Sequence, residues 1–481
     1  MKTLYRLFIL NFIFVVYGCG NWLDVQPTTE KDRNDLIETE EGFKQMLYGA
    51  YINLVSPDLY GHQLTYGFLE GLARNYVWLP TNRTYDYKDT DVRPIIDKIW
   101  NGIYNNVANV NSILKDIKTR KELFKGNEGD ILEAEALAMR AFMHFDLLRM
   151  FAPAYEENEE KIAIPYVETF ERVRYPHLPA EEVMKKVLRD LSEAEKILEE
   201  CQDPILKEVI CTYSGKGDFM ANRQYRFNYW AVNALKARVY LYMGDQTNAL
   251  HYAMKVIQES PFTWVKEADV TSGDRIFMSE LICGLNIPKL ENYDESYFKS
   301  EKYSLYDGWG VYGLNVFEDP NDYRYLYLMT NDKGKNKVIS CKYAQAIKTD
   351  GVMKKATVPL IRLGEMYLIA AECNIEENPE ETVCLLRELK EHRGYLSEDR
   401  GITDNVTAEQ LMNYIKKEMR KETYAEGQMF FFWKRLKSTT TPGFNPWSAS
   451  ATTAMKPEYY LFPLPEAEIE FGYIPETEES I

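Results

Sequence analysis

The stretch NYWAVNALKARVYLYMGDQTNALHYAMKVIQESP, residues 228–261, constrains the fold more than any other. Two segments of helical composition meet at Met243-Gly244-Asp245, too short a connection for anything but an antiparallel helix pair. Small residues stand at Ala237 and Ala249, a large one at Tyr240, and Pro261 closes the unit. Small side chains at those places let two helices approach closely. A pair of this kind cannot bury both of its apolar faces alone, so further pairs must stack on it.

The spacing is that of the tetratricopeptide (TPR) pattern, a repeat of about 34 residues. A second partial match, IRLGEMYLIAAECNIEENPEETVCLLRELKEHRG (361–394), places Leu363-Gly364 and Tyr367 in its first helix and has a longer turn. Other segments supply partners. Ile103, Val107, Val110 and Leu114 recur at helical spacing in 101–117. EGDILEAEALAMRAFMHFDLLRMF (128–151) has no internal Gly or Pro and is apolar on more than one side, so it is expected to be buried between neighbours, with Pro153 ending it. PAEEVMKKVLRDLSEAEKILEE (179–200) is amphipathic, with Pro179 and acidic residues at its start. The expected fold is mostly α: a superhelix of TPR-like pairs at about 97–150, 180–261 and 359–394. Residues 56–95 and 262–358, rich in Tyr, Asn, Asp and Gly, read as loop-rich inserts forming an irregular lobe with short strands. Binding residues commonly lie on loops held by a rigid frame.

The N-terminus reads as an export signal. Lys2 and Arg6 precede an apolar run that stops at Gly18-Cys19-Gly20. The run is shorter than the roughly 20 residues a membrane span requires, and no later segment is apolar for long enough. Residues 1–18 are therefore expected to be removed, leaving 19–481 as one domain that begins with Cys19.

Composition narrows the ligand class. The net charge of −17, from 57 basic and 74 acidic side chains, opposes nucleic acid and anionic lipid and suits neutral or cationic ligands. Aromatic residues make up 14%, with 35 Tyr, and such rings favour surfaces that bind something. Two clusters stand out: Tyr76, Trp78, Tyr85 and Tyr87 in RNYVWLPTNRTYDY (74–87), and Tyr306, Trp309, Tyr312 and Phe317 in YSLYDGWGVYGLNVFEDPNDYRY (303–325). Sugars present C–H faces to flat rings and hydroxyls to polar rims, so these are the candidate ligand contacts. The plain alternative is that the rings are minor cores of the loop-rich regions.

Other chemistry is poorly supported. The cysteines form no C-x-x-C pair; Cys201 and Cys211 are either a bridge or two thiols, which spacing does not decide. GWGVYG (308–313) matches a nucleotide fingerprint in letters but lacks the flanking strand and helix, and SGKGD (214–218) lacks the rest of a phosphate loop. The five His form no metal motif; His144 and His251 lie in helices and read as packing residues. EDPND (318–322) lacks EF-hand spacing and reads as a turn. No cofactor, metal or catalytic residue is expected. Glycoside hydrolysis needs two carboxylates across a cleft, and no spacing singles out a pair.

CGNWLDVQP (19–27) resembles the mature start of SusD/RagB-family outer-membrane lipoproteins, where an aromatic-Leu-Asp closely follows the lipidated cysteine. AEALAMRAFMHFDLLRMF (134–151), IPYV (164–167), VPLIRLGEMYLIAAEC (358–373), IKKEMRKETYAEGQMFFFWKR (415–435) and YLFPLPEAEI (460–469) resemble further family segments in the expected order. Tyr17 and Val16 depart from the usual residues before the cysteine, no dense acidic run follows Cys19, and EGQMFFFWKR departs from the common Arg-Trp form, which marks a divergent branch. The resemblance implies TPR pairs carrying an irregular lobe. It implies a palmitate-type lipid anchor at Cys19 in the outer membrane, facing the exterior, and a partner, a SusC-like TonB-dependent barrel transporter. It implies capture of an oligosaccharide or polysaccharide without catalysis. A peptide-binding member of the same family and, less simply, a glycan-degrading enzyme are the alternatives.

Overall fold

The computed structural model describes residues 33–76, 85–156, 158–209, 219–287, 290, 306–307, 316–332, 337–345, 356–403, 406–442 and 452–475. Its frame is a series of antiparallel helices, each packed on the next: α1 (Glu40–Leu54), α2 (Arg93–Ile117), α3 (Glu128–Phe151), α4 (Ala180–Glu200), α5 (Tyr229–Met243) and α6 (Gln246–Glu259). The series resumes about a hundred residues later with α7 (Leu363–Cys373), α8 (Pro379–Glu391), α9 (Ala408–Glu422) and the short α10 (Met429–Arg435). α7 packs directly on α6, so the array is continuous in space although the chain is not. The mostly α, TPR-like fold expected from the sequence is the one observed.

The turn between α5 and α6 shows why that unit was legible. Gly244 takes φ +81°, a left-handed conformation that costs glycine little, and the Asp245 side chain caps α6 by accepting from the Asn248 N–H at 3.0 Å. Ala237 and Ala249 are fully buried, and Tyr240 stacks on Tyr252 with ring centroids 5.6 Å apart. In the second unit, Ile361 and Arg362 belong to a strand rather than to the first helix.

Helix α3 is the axle. It is buried along nearly its whole length, polar residues included. Several of these meet partners from different parts of the chain: Glu135 meets Arg223 and the Tyr51 hydroxyl at 2.9 Å, Arg140 meets Asp190 at 2.6 Å, Asp146 the Tyr60 hydroxyl at 2.7 Å, and Arg149 Gln428 at 3.1 Å. His144 accepts the Val167 N–H at Nε2 and donates from Nδ1 to Arg140 O; burial lowers its pKa to about 4 and keeps it neutral. His251, in contrast, is exposed on α6 and is not a core residue.

Four small antiparallel sheets are present among the described residues. β1 (Ile162–Pro165) pairs with β2 (His177–Pro179), and β8 (Thr440–Pro442) with β9 (Thr452–Ala454). β4 (Tyr306–Asp307), β6 (Lys337–Ser340) and β5 (Met329–Asp332) form a three-stranded sheet in that order. β3 (Leu281–Asn286) pairs with β7 (Thr357–Arg362), Leu281 opposite Arg362 and Asn286 opposite Thr357. The chain enters the lobe through β3 and leaves through β7, so this pair forms its base. Residues 56–66 are turns but are not a loose insert: Leu59, Tyr60, Leu64 and Tyr66 are buried.

A buried ionic cluster binds lobe to frame. Glu422 on α9 accepts from Arg362 at 2.6 Å, from Arg393 at 2.7 and 3.0 Å, and from Arg324 at 3.0 Å. Arg393 also grips Glu280 at 2.7 and 2.8 Å, and Arg324 reaches Asp322 and Glu418, both at 2.7 Å. EDPND is accordingly a turn. Asp322 caps the short helix Tyr323–Leu326, and Asp319 accepts from the Asn321 N–H at 2.8 Å. Gly364 lies where an added Cβ would come within 2.5 Å of the Glu422 carboxylate. Cys201 Sγ donates to Leu198 O, and Cys211 lies outside the described residues, as do 214–218 and 308–313.

These carboxylates set the response to acid. Burial works to raise Glu418, but Lys421 and Arg324 win and hold it at about 2; for Glu422 the Arg393 and Arg362 guanidiniums likewise overcome burial and hold it well below the usual range. Their stabilisation is present above the unfolded carboxylate value of about 4.3 and is lost as pH falls through the folded values. Glu70 behaves oppositely. It is fully buried, and burial raises its pKa to about 7 against the Asn75 amide and the Gly427 N–H. Protonated Glu70 costs nothing, but stability falls as pH rises from about 4.5 to about 7, by about 3 kcal/mol at most. Melting temperature measured across that window is expected to decline, and to decline less in Glu70→Gln. Replacing Glu422 by Gln is expected to destabilise by about 3–5 kcal/mol in urea unfolding, because it strands buried guanidiniums.

Candidate functional site

Both aromatic stretches start or end against α9. This helix is fixed at its start by a capping box: the Thr407 hydroxyl accepts from the Gln410 N–H at 3.2 Å, and the Gln410 side chain accepts from the Thr407 N–H at 2.8 Å. Its inner face buries Leu411, Ile415, Glu418, Met419 and Glu422, which turns Lys416, Lys417 and Arg420 the other way. Arg420 Nε donates to Asn75 Oδ1 at 3.1 Å, and Asn75 Nδ2 donates to Glu70 at 2.6 Å, so the residues leading into the first stretch are pinned. The second stretch returns at Val316. There the Tyr395 hydroxyl donates to Phe317 O at 2.9 Å, and Lys417 pairs with Glu318 at 2.6 Å.

Between these elements lies a cleft of about 610 Å³. Its walls are α9 (Met412, Asn413, Lys416, Lys417, Arg420), Trp433 at the end of α10, the following segment from Leu436 to Pro442, Thr452, and Val316 with Glu318. The volume lies within the range of small-molecule sites, about 300–1,000 Å³. Glu318 stays ionised: burial would raise its pKa, but Lys421 and Lys417 hold it below the usual value. Among the described residues it is the one carboxylate on this wall, whereas glycoside hydrolysis needs two facing each other.

The aromatic residues expected to meet ligand separate into different surroundings. Tyr76 is 2% exposed. Its hydroxyl donates to Tyr66 O at 2.8 Å, and its ring meets Tyr424 edge-on within a lobe core that also holds Phe317. It is a packing residue, and through Phe317 that core ties the two stretches together. Tyr85 stacks on Tyr459, centroids 4.7 Å apart and 11° from parallel, and its hydroxyl donates to Leu72 O while accepting from Arg74. The Tyr87 hydroxyl donates to Tyr459 O. Both are largely buried, yet both line a second cavity of about 780 Å³, shared with Phe151, His177, Tyr459 and Phe462. Tyr306 opens β4 opposite Val338, and Trp78, Trp309 and Tyr312 lie outside the described residues.

The cleft residues Lys416, Arg420, Lys437 and Trp433 were not singled out from the sequence. The signal is there in retrospect: in IKKEMRKE, basic residues four apart (Lys416, Arg420) alternate with acidic residues four apart (Glu418, Glu422), so a helix puts each kind on its own face. No group of three or more His, Cys, Asp or Glu among the described residues is arranged to hold a metal ion, and no described helix is long and apolar enough to cross a membrane.

Comparison with known proteins assigns the chain. Residues 21–241 match a SusD-like family model described as starch-binding associating with outer membrane, and residues 293–471 match the SusD family model. A SusD superfamily protein from Bacteroides thetaiotaomicron VPI-5482 shares the fold with a TM-score of 0.69 at 20% identity, over 91% of this chain and 99% of that one. A SusD-like carbohydrate binding protein from Bacteroides vulgatus ATCC 8482 gives 0.70 at 18% identity, over 92% and 99%. A putative sugar binding protein from the same strain gives 0.69 at 20% identity, over the same shares. A search of curated proteins finds no match. With two family models of one kind spanning most of its length, and a shared architecture, this chain belongs to the SusD/RagB family, whose members bind and do not catalyse.

Proposed function

We propose that this protein is a lipid-anchored outer-membrane lipoprotein that captures a glycan at the cell exterior and hands it to a SusC-like TonB-dependent barrel. The observation that carries the reading is the match of its first half to a model described as starch-binding associating with outer membrane. The solved relatives, a SusD-like carbohydrate binding protein and a putative sugar binding protein, support it. So does an open cleft of sugar-sized volume with hydroxyls at Thr439, Thr440 and Thr441 and donors on α9.

The lipid on Cys19 fixes the protein to the membrane. Each buried methylene contributes about 0.8 kcal/mol, and three acyl chains make release negligible. Trp78, Tyr306, Trp309 and Tyr312 supply stacking faces, with Tyr85 and Tyr87 contributing from the edge of the second cavity. Capture requires only modest affinity, since the barrel must take the ligand over.

Three measurements test this. Retardation in native gels containing polysaccharides should pick out a bound polymer; hydrolysis of that polymer by the purified protein would overturn the reading. Trp78→Ala and Trp309→Ala should each weaken binding by about 1 kcal/mol, roughly fivefold, with unchanged melting temperature. Labelled palmitate should enter the protein in growing cells and be absent from Cys19→Ala.

A further inference from the structure

We infer that segment 466–475 is a pH-sensitive strap, held to the body by one proton shared between His177 and Glu468 and let go when that proton leaves. The His177 side chain is 1% exposed and opens β2. Its Nδ1 lies 2.9 Å from Ala163 O, and its Nε2 lies 2.9 Å from Glu468 Oε1. A backbone carbonyl can only accept, so Nδ1 carries a hydrogen. A neutral imidazole then turns its Nε2 lone pair toward a carboxylate oxygen. The second bond forms only with one more proton, on Nε2 or on the Glu468 carboxyl. When that proton leaves, two acceptors face each other at hydrogen-bonding distance, and a buried ring nitrogen loses its partner. Docking and protonation therefore favour each other.

The position of this pair gives it leverage. The His177 backbone N–H also donates to Tyr473 O at 2.8 Å, so one residue fastens the strap at two points. The chain just before it is fastened without histidine: the Phe462 N–H donates to Met150 O at 3.0 Å, and Arg93 Nη2 to Leu464 O at 2.7 Å. Release therefore starts after Pro465. The short helix Glu466–Phe471 buries none of its residues, and Ile469, Phe471 and Tyr473 are exposed, so little apolar packing stands in for the lost bond. Ile474 and Pro475 line the second cavity, and their departure opens it on that side. The surrounding groups are known. Trp100 of α2 stacks on the His177 ring, centroids 6.2 Å apart. Tyr104 of α2 keeps its proton, because burial and then the Glu468 charge raise its pKa well above the ordinary value. Arg93 and Asp97 pair at 3.0 Å on the same helix. Lys161, Asp86, Lys88 and Glu458 share the cavity with His177, and Glu466 and Glu470 flank Glu468 on the strap.

The experiment uses the mature chain from residue 19, without ligand, and follows hydrogen–deuterium exchange of the peptide covering 466–475, corrected for the intrinsic effect of pH on exchange. Between about pH 5.5 and about pH 8.5, a window that brackets the ordinary charge change of histidine, protection of this peptide is expected to fall about tenfold while that of α3 holds. Glu468→Gln is expected to keep the strap protected at both values, because an amide N–H donates to the neutral Nε2. Glu468→Ala removes the bond and is expected to leave the strap unprotected at both. A native strap equally protected at the two values would overturn the inference. So would a pH response that survives in Glu468→Gln, which would assign it to Lys161 or another neighbour. No glycan enters the measurement, so either result leaves the glycan reading as it stands.

Discussion

The structure depends on one buried carboxylate. Glu422 gathers guanidiniums from three parts of the chain: Arg324 from the lobe, Arg362 from the end of β7, and Arg393 from the segment after α8. All four side chains are essentially without solvent. Ions taken that far out of water are tolerable only when each finds its counter-charge and its hydrogen bonds together. Arg393 meets this condition by spanning Glu422 and Glu280, and Arg362 by spanning Glu422 and Glu426. Gly364 is required because a side chain there would displace the carboxylate. A lobe whose described residues hold few regular elements is thereby registered on a helical frame by a few directional contacts, where a packed apolar interface alone would fix the angle less tightly.

The same helix performs both tasks because of its period. Glu418 and Glu422 lie four apart and face the lobe; Lys416 and Arg420 lie four apart and face the cleft. Rotating α9 to improve one set would disrupt the other. Locking the lobe therefore also aims the basic side chains. The chain Glu70, Asn75, Arg420 extends that control to the residues that lead into the first aromatic stretch. Glu70 carries an energetic cost near neutral pH, but its two oxygens hold the Asn75 amide and the Gly427 N–H in fixed relation.

The helical frame was legible because its signals are local. Gly244 with Asp245, the small residues Ala237 and Ala249, and the Gly- and Pro-free run of α3 each declare their role within one or two turns of chain. The site was less legible because its determinants are distant in sequence. Nothing near Tyr76 shows that its ring will pack against Tyr424, or that Tyr85 will lie on Tyr459. A loop tyrosine in a core and one at a binding surface look alike until the partner is known. Buried charge is hidden in a similar way. Nothing local marks Arg324, Arg393 or Glu422 as buried, because burial of an ion is decided by contacts from far along the chain. His251 failed in reverse, as a helical position alone does not say which face is covered.

Net charge speaks for the whole surface and says little about any one cleft, and the reason is physical. At physiological salt the field of an exposed charge fades over about 8 Å, so a ligand in a cleft responds to the charges lining it more than to the sum over the surface. The side chains that line a cleft beside α9 and the acidic surface around them therefore act on a ligand separately, each within its own short range.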